Sequence, residues 1–217
     1  MKPIRTYLPS LLTAALLIPA PLQGVGSTIH TNLSIQPQTR TEWTHDFILP
    51  QFDPSLGTLE AVHLTLDYQV NMSGSLFNPY TTPQDLTFQA GSFLTVTLPG
   101  SGLALQPVLM APAQHYTLAP LDSSSYGSFS LDGSAEITLT GAALASFVGS
   151  GNVVLPGRTA TEQIRGGSSG KAIFSLTATS GATLTLEYFD TQVPEPSSGV
   201  LLAVALGALS LLRRRRG

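Results

Sequence analysis

The chain has 217 residues, of which 42% are hydrophobic and 11% charged; its formal net charge is −3 and it contains no cysteine. That length suits one domain with an interior large enough for a packed core, and the absence of cysteine excludes disulfides, thiol catalysis and cysteine metal sites. Six of the ten basic residues lie at the two ends, so the stretch 27–193 sets four basic residues (Arg40, Arg158, Arg165, Lys171) against twelve acidic ones, a net of −8. A body of that sign repels phosphate backbones and argues against nucleic acid as a partner.

Lys2 and Arg5 precede an apolar run over 7–18, followed by Pro19, Pro21 and the small residues Gly24, Gly26 and Ser27. This is the layout of a secretory signal peptide over 1–26, with cleavage expected after Gly24 or Gly26. Pro9 and Pro19 argue against a permanent membrane helix here.

The body, 27–192, alternates with a period of two. In 63–70, Leu64, Leu66, Tyr68 and Val70 share one face and polar residues the other, the pattern of a half-buried antiparallel strand. The stretch 28–36 predicts the same through Ile29, Thr31, Leu33 and Ile35. Further strands are expected at 43–49, 86–90, 93–98, 103–109, 116–121, 128–131, 135–140, 171–178 and 182–189. Asp132-Gly133 and Ser180-Gly181 read as hairpin turns, and Pro99-Gly100 as a third break. A weak helical period over 142–148 allows one or two turns. Mobile loops are expected at 71–84 and at the glycine-rich 157–170. Many short strands with glycine and proline turns predict an all-β fold, an antiparallel β-sandwich of jelly-roll-like or Ig-like type, with a closed barrel as the alternative.

The carboxyl end, 193–217, has three parts. Val193, Pro194, Glu195 and Pro196 form a stiff extended strip, because each proline fixes its own φ and disfavours helix in the residue before it. An uncharged run over 197–212 follows, then Arg213, Arg214, Arg215 and Arg216. As a helix, 199–212 would span roughly 21 Å, short of the ~30 Å bilayer core. The arginines add reach by snorkelling and place their flank on the cytoplasmic side.

This order of motif, apolar helix and arginine cluster resembles the PEP-CTERM sorting signal of Gram-negative and related bacteria. The resemblance implies that Val193, Pro194, Glu195 and Pro196 are the recognised motif and Arg213 to Arg216 the membrane stop. It further implies an exosortase as processing partner, a transient tether in the inner membrane, and a final place at the cell surface or outside the cell. Secreted proteins of this type are often associated with exopolysaccharide or biofilm matrix. A second resemblance lies in the body. Phe52-Asp53-Pro54-Ser55-Leu56-Gly57-Thr58-Leu59, running into Val62-His63-Leu64-Thr65-Leu66, is similar to the opening of the choice-of-anchor E domains, and 144–155 also fits that type. That family brings no defined activity. The Asp53 motif also has a local explanation: its carboxylate accepts from nearby backbone amides in a turn, and Gly57 takes a positive φ before the strand.

The residues themselves offer little chemistry. His30, His45, His63 and His115 show no metal-ligand spacing, no Gly-x-Ser-x-Gly elbow occurs, and Gly166-Gly167-Ser168-Ser169-Gly170-Lys171 lacks the spacing of a phosphate loop. On a strand, Glu42 and Asp46 share one face and His45 takes the other. Asp122 and Asp132 are isolated acids without a calcium-loop repeat. No catalytic residue, cofactor or metal ligand is therefore expected. The expectation is an exported, non-catalytic surface or matrix protein. The alternative is a secreted carbohydrate-binding module or carbohydrate-active enzyme with a loop-borne site, for which Trp43, Tyr80, Tyr116 and Tyr126 are stacking candidates. Tyr68 and Tyr188 fall among core leucines and read as packing.

Overall fold

The computed structural model of the protein describes residues 27–166 and 172–192. The expected signal segment over 1–26, the Ser168-Ser169-Gly170-Lys171 stretch, the sorting motif and the arginine stop lie outside the described residues.

Two antiparallel sheets face one another. The first contains β1 (Ser27–Arg40), β10 (Ile173–Gln192), β3 (Gly57–Phe77) and β8 (Ser123–Leu139), in that spatial order. The second contains β2 (Thr44–Pro50), β9 (Asn152–Gly166) and β4 (Gln84–Thr97), again in spatial order. Three short strands cover the far edge of β4 in succession: β7 (Gln114–Leu118) pairs with its start, β6 (Val108–Met110) with its middle and β5 (Ala104–Leu105) with its end. The expected strand over 103–109 is thus two strands, parted at Gln106-Pro107, where proline has no amide proton to give the ladder. A short 3₁₀ helix, Gly141–Phe147, occupies the segment with helical period and buries Leu144 and Phe147.

The all-β sandwich is as the alternation predicts, because the alternating residues do form the core. Leu64, Leu66, Tyr68 and Val70 of β3 and Leu184, Leu186 and Tyr188 of β10 meet Phe47, Leu49, Leu86, Phe88, Leu94, Val96 and Leu155 of the other sheet, all fully buried or nearly so. Each such side chain contributes about 1.5–3 kcal/mol of transfer free energy.

The strands are longer than the expected segments, and both expected hairpins are absent. Asp132-Gly133 lies within β8, opposite Gln69 and Tyr68, and Ser180-Gly181 lies within β10, opposite Val70 and Gln69. These glycines make space rather than turns. A Cβ on Gly133 would meet Leu109 Cδ2 at 2.7 Å, and one on Gly181 would press on the backbone of Gln36 and Gln38, where β1 bulges. Of the loop expected over 71–84, residues 71–77 are instead the end of β3 while 78–83 do form the connection to β4, and 157–166 continues β9.

Register also corrects the face of β1. Ile29, Thr31, Leu33 and Ile35 lie opposite Phe189, Glu187, Thr185 and Thr183, on the solvent side of β10, whose Leu184, Leu186 and Tyr188 point inward. Ile29, Leu33 and Ile35 are accordingly 55–57% exposed, and the partly buried residues of the strand are His30, Asn32, Ser34 and Gln36. The alternation is real, but a shift of one residue exchanges the faces. At the passage to the second sheet, Glu42 has φ 69° and precedes β2 rather than sharing a strand face with Asp46. Its Oε1 accepts from the Thr161 hydroxyl at 3.1 Å. The Asp53 turn forms as expected: Oδ1 accepts from the Ser55 amide at 2.9 Å, which holds the carboxyl below its ordinary range. Gly57, however, has no left-handed φ. It is already in β3, and a side chain there would collide with the Thr191 carbonyl.

Candidate functional site

The outer face of the second sheet carries a shallow trough of about 590 Å³. Its floor follows from register. Thr44 lies opposite Arg158 on β9, and Arg158 lies opposite Thr95 on β4; the adjoining rows are Asp46 with Pro156 and Ala160 with Phe93. Thr97 completes the lining. The inward neighbours Phe47, Leu94, Val96, Leu155 and Thr159 are buried, so the period of two forces the intervening residues outward. Beyond Asp46 and Pro156 the same face continues as Ile48 paired with Val154, both about half exposed.

The Arg158 guanidinium forms no ion pair or hydrogen bond among the described residues. It is a cation held on a rigid strand with its donors uncommitted, and a guanidinium suits planar bidentate recognition of a carboxylate. Around it stand three threonine hydroxyls, the Asp46 carboxylate and the partly buried Phe93 ring. Such groups have the chemistry to hydrogen-bond hydroxyls and to pair with a carboxylate. Neither Arg158 nor the trough figures among the site residues expected from sequence. The signal in the sequence is the polar face of the alternating run 93–97, which gains meaning only once β9 is known to lie beside it.

The depression on the other outer face is lined without a charged residue. Asn71, Ser73, Ser128, Ser130, Thr177 and Thr179 line a depression of about 390 Å³ across β3, β8 and β10. Asp132 is exposed midway along β8. Asp122 uses its carboxylate locally, accepting from the Ser123 amide at 2.8 Å.

The histidines are dispersed. His63 lies within hydrogen-bonding distance of two hydroxyls, Thr138 Oγ1 from Nδ1 at 3.0 Å and Thr65 Oγ1 from Nε2 at 3.3 Å, with Glu136 at 3.9 Å. His115 meets Asp85 at 3.0 Å on the exposed pair of β7 and β4. His45 packs edge-on against Phe47, ring centroids 4.9 Å apart. His30 Nε2 lies 3.7 Å from Asp190 Oδ1. Among the described residues, no three His, Asp or Glu side chains converge as a metal site.

The aromatics sort as packing and internal hydrogen bonding. The Tyr188 hydroxyl donates to the Pro50 carbonyl at 2.8 Å, Trp43 Nε1 donates to Ser180 Oγ at 3.0 Å, and the Ala90 amide donates to the Tyr126 hydroxyl at 3.0 Å. Burial pushes the Tyr68, Tyr116 and Tyr188 hydroxyls above their ordinary range. Tyr126, a stacking candidate by sequence, is fully buried, and Tyr80 is 40% exposed.

Residues 192–216 match the PEP-CTERM protein-sorting motif. No curated protein matches the chain. Among solved structures, the chain is similar to one from the T13 IBDV viral particle at 10% identity, covering 76% of this chain and 36% of that one, with a TM-score of 0.26. The chain thus spans little more than a third of that protein's length. It is also similar to a chain of the Mud crab tombus-like virus, at 9% identity, 93% and 96% coverage and a TM-score of 0.23. A third likeness is to a bacterial lipoprotein from Bacteroides thetaiotaomicron, at 9% identity, 80% and 93% coverage and a TM-score of 0.21. No helix among the described residues is long and apolar enough to cross a membrane.

Proposed function

From a chain that carries a PEP-CTERM protein-sorting motif, the mark of an exosortase-sorted secreted protein, we propose a non-catalytic surface or extracellular-matrix protein whose sandwich is the delivered cargo. In this reading the chain is held in the inner membrane by its carboxyl-terminal helix, processed by the exosortase next to Val193, Pro194, Glu195 and Pro196, and delivered to the cell surface or the exopolysaccharide outside it. The body, in the same reading, is a domain of the choice-of-anchor E type.

The observation that carries this is the junction between body and motif. The match begins at residue 192, and Gln192 is the last residue of β10, still paired with Gly57. β10 is an inner strand hydrogen-bonded on both sides along most of its length. The matched segment therefore begins where the folded body ends, as suits a body delivered as cargo on a separate sorting tail. Intact-mass measurement of the protein from its own host, with and without the sorting protease, tests the reading. A mass ending near Pro196 is expected when the protease is present; a mass retaining Arg216 in both strains overturns it.

A second reading, a carbohydrate-binding module, is favoured by the trough. Arg158, Phe93 and the threonines supply a cation, an apolar face and hydroxyls for an acidic polysaccharide, and the acidic remainder of the surface confines such binding to that spot. Saturable binding of an acidic polysaccharide that is lost in Arg158→Ala supports it, and equal binding by that variant removes it.

A further inference from the structure

We propose that the free edge of β1 is a self-association surface, on which a second copy of this chain pairs antiparallel about a two-fold axis through Asn32. A sandwich of two open sheets has four edges, and three of these are blunted. β2 is seven residues long, carries Asp46 and ends in Pro50. The far edge of the second sheet is broken into β5, β6 and β7, none longer than five residues. β8 is long but bears Asp132 and Glu136, both exposed. Short length, proline, irregularity and charge are the devices by which proteins keep sheet edges from pairing.

β1 has none of them over its first part. It runs for 14 residues, pairs only with β10 among the described residues, and contains no Asp, Glu, Lys or Arg before Arg40. Its first proline, Pro37, comes at the bulge between Gln36 and Thr39. The run 29–35 is therefore a regular strand with one row of backbone donors and acceptors turned away from β10. Along it Ile29, Leu33 and Ile35 stand more than half exposed on one face.

The sequence of this run fits a copy of itself. With Asn32 facing Asn32 of the second copy, Ile29 faces Ile35 and Thr31 faces Leu33, each pairing occurring twice. Outward residues then meet outward residues, and every exposed apolar side chain of the run gains a cross-strand neighbour at about 4.5–5.5 Å. Roughly six to eight new backbone hydrogen bonds form, and the two four-stranded sheets become one of eight. The proposal is independent of how the carboxyl end is processed.

The test uses the full chain in mild detergent, sized by light scattering and sedimentation over a concentration series. The wild type should dimerise in the micromolar range. Ile29→Lys and Ile35→Glu, each at an exposed position, should weaken dimerisation at least about tenfold. The double variant should restore it, because the ammonium placed at position 29 of one copy then faces the carboxylate placed at position 35 of the other, whereas within one chain those positions lie about 20 Å apart. In a chain without native cysteine, Asn32→Cys should cross-link to itself under mild oxidation, since residues facing across an antiparallel pair fall within disulfide reach, while Ser34→Cys should not. A wild type that stays monomeric, single variants that associate as the wild type does, a double variant that does not recover, or Asn32→Cys that fails to cross-link within a dimer would each overturn the proposal.

Discussion

The Tyr68 hydroxyl lies 2.6 Å from Ser92 Oγ in the interior, and Ser92 in turn donates to the Ala160 carbonyl at 3.0 Å. One hydrogen-bonded chain therefore runs from β3 in the first sheet through β4 to β9 in the second. Apolar contacts join the sheets without direction; this chain fixes their relative position. Tyr68→Phe leaves Ser92 without that partner and should lower stability by about 1–2 kcal/mol. Ser92→Ala should cost a similar amount, and the double variant less than the sum, because the two changes remove one shared interaction. Urea unfolding of the three variants checks this.

Burial also makes stability depend on alkaline pH. Tyr68 is raised above its ordinary range by burial, partly opposed by hydrogen bonds with Ser180 and Ser92, and Tyr188 is raised by burial. The neutral phenol is thus favoured in the fold. Below the unfolded tyrosine value of about 10, both states hold the proton and the stability is complete. As pH climbs past that value the unfolded chain ionises first, and stability is lost on the way to the folded values. Thermal melts between neutral and strongly alkaline pH should show this decline. Tyr188→Phe should be less stable at neutral pH, since Pro50 loses its donor, yet decline less steeply in the alkaline range.

Two glycines separate collision from backbone strain. Gly57→Ala would drive a methyl group into the Thr191 carbonyl and force β3 away from the end of β10, just before the sorting motif. A loss of about 3 kcal/mol or more is expected, with earlier proteolysis near residue 190. Gly102 has φ +67° and open space around it, so Gly102→Ala should cost only about 1 kcal/mol, from conformation alone. Similar losses for the two variants would show that the neighbouring strand yields.

The contrast between these sites explains what could be read from the sequence. Leu64, Leu66, Tyr68 and Val70 announce a strand because their period is local, and the Asp53 turn is legible because its hydrogen bond spans two residues. Gly133 and Gly181 mislead because their reasons lie in other segments, in Leu109 and in the bulge of β1. Ile29, Leu33 and Ile35 have the right period but suggest the wrong face, which only pairing with β10 decides. Arg158 and Phe93 are invisible as a site for the same cause: the trough is a product of register between β9 and β4. The sorting motif and arginine stop, by contrast, are contiguous in sequence and carry their own pattern.

Asp190 tests whether the body tolerates a buried carboxyl without hydrogen-bond donors at its exit. Its side chain is 1% exposed and neither carboxylate oxygen has a hydrogen-bond partner among the described residues. His30, partly exposed, lies 3.7 Å away, too far for a good hydrogen bond. A buried carboxylate that lacks donors costs more than a neutral amide of the same shape. Asp190→Asn should therefore raise stability by about 1–2 kcal/mol, whereas His30→Ala, which removes the basic group beside the carboxyl, should lower it. In the Asp190→Asn background, His30→Ala should have little further effect, because the carboxylate it serves is gone. Thermal unfolding of the four forms distinguishes this from a purely packing role, in which the His30 change would cost the same in both backgrounds.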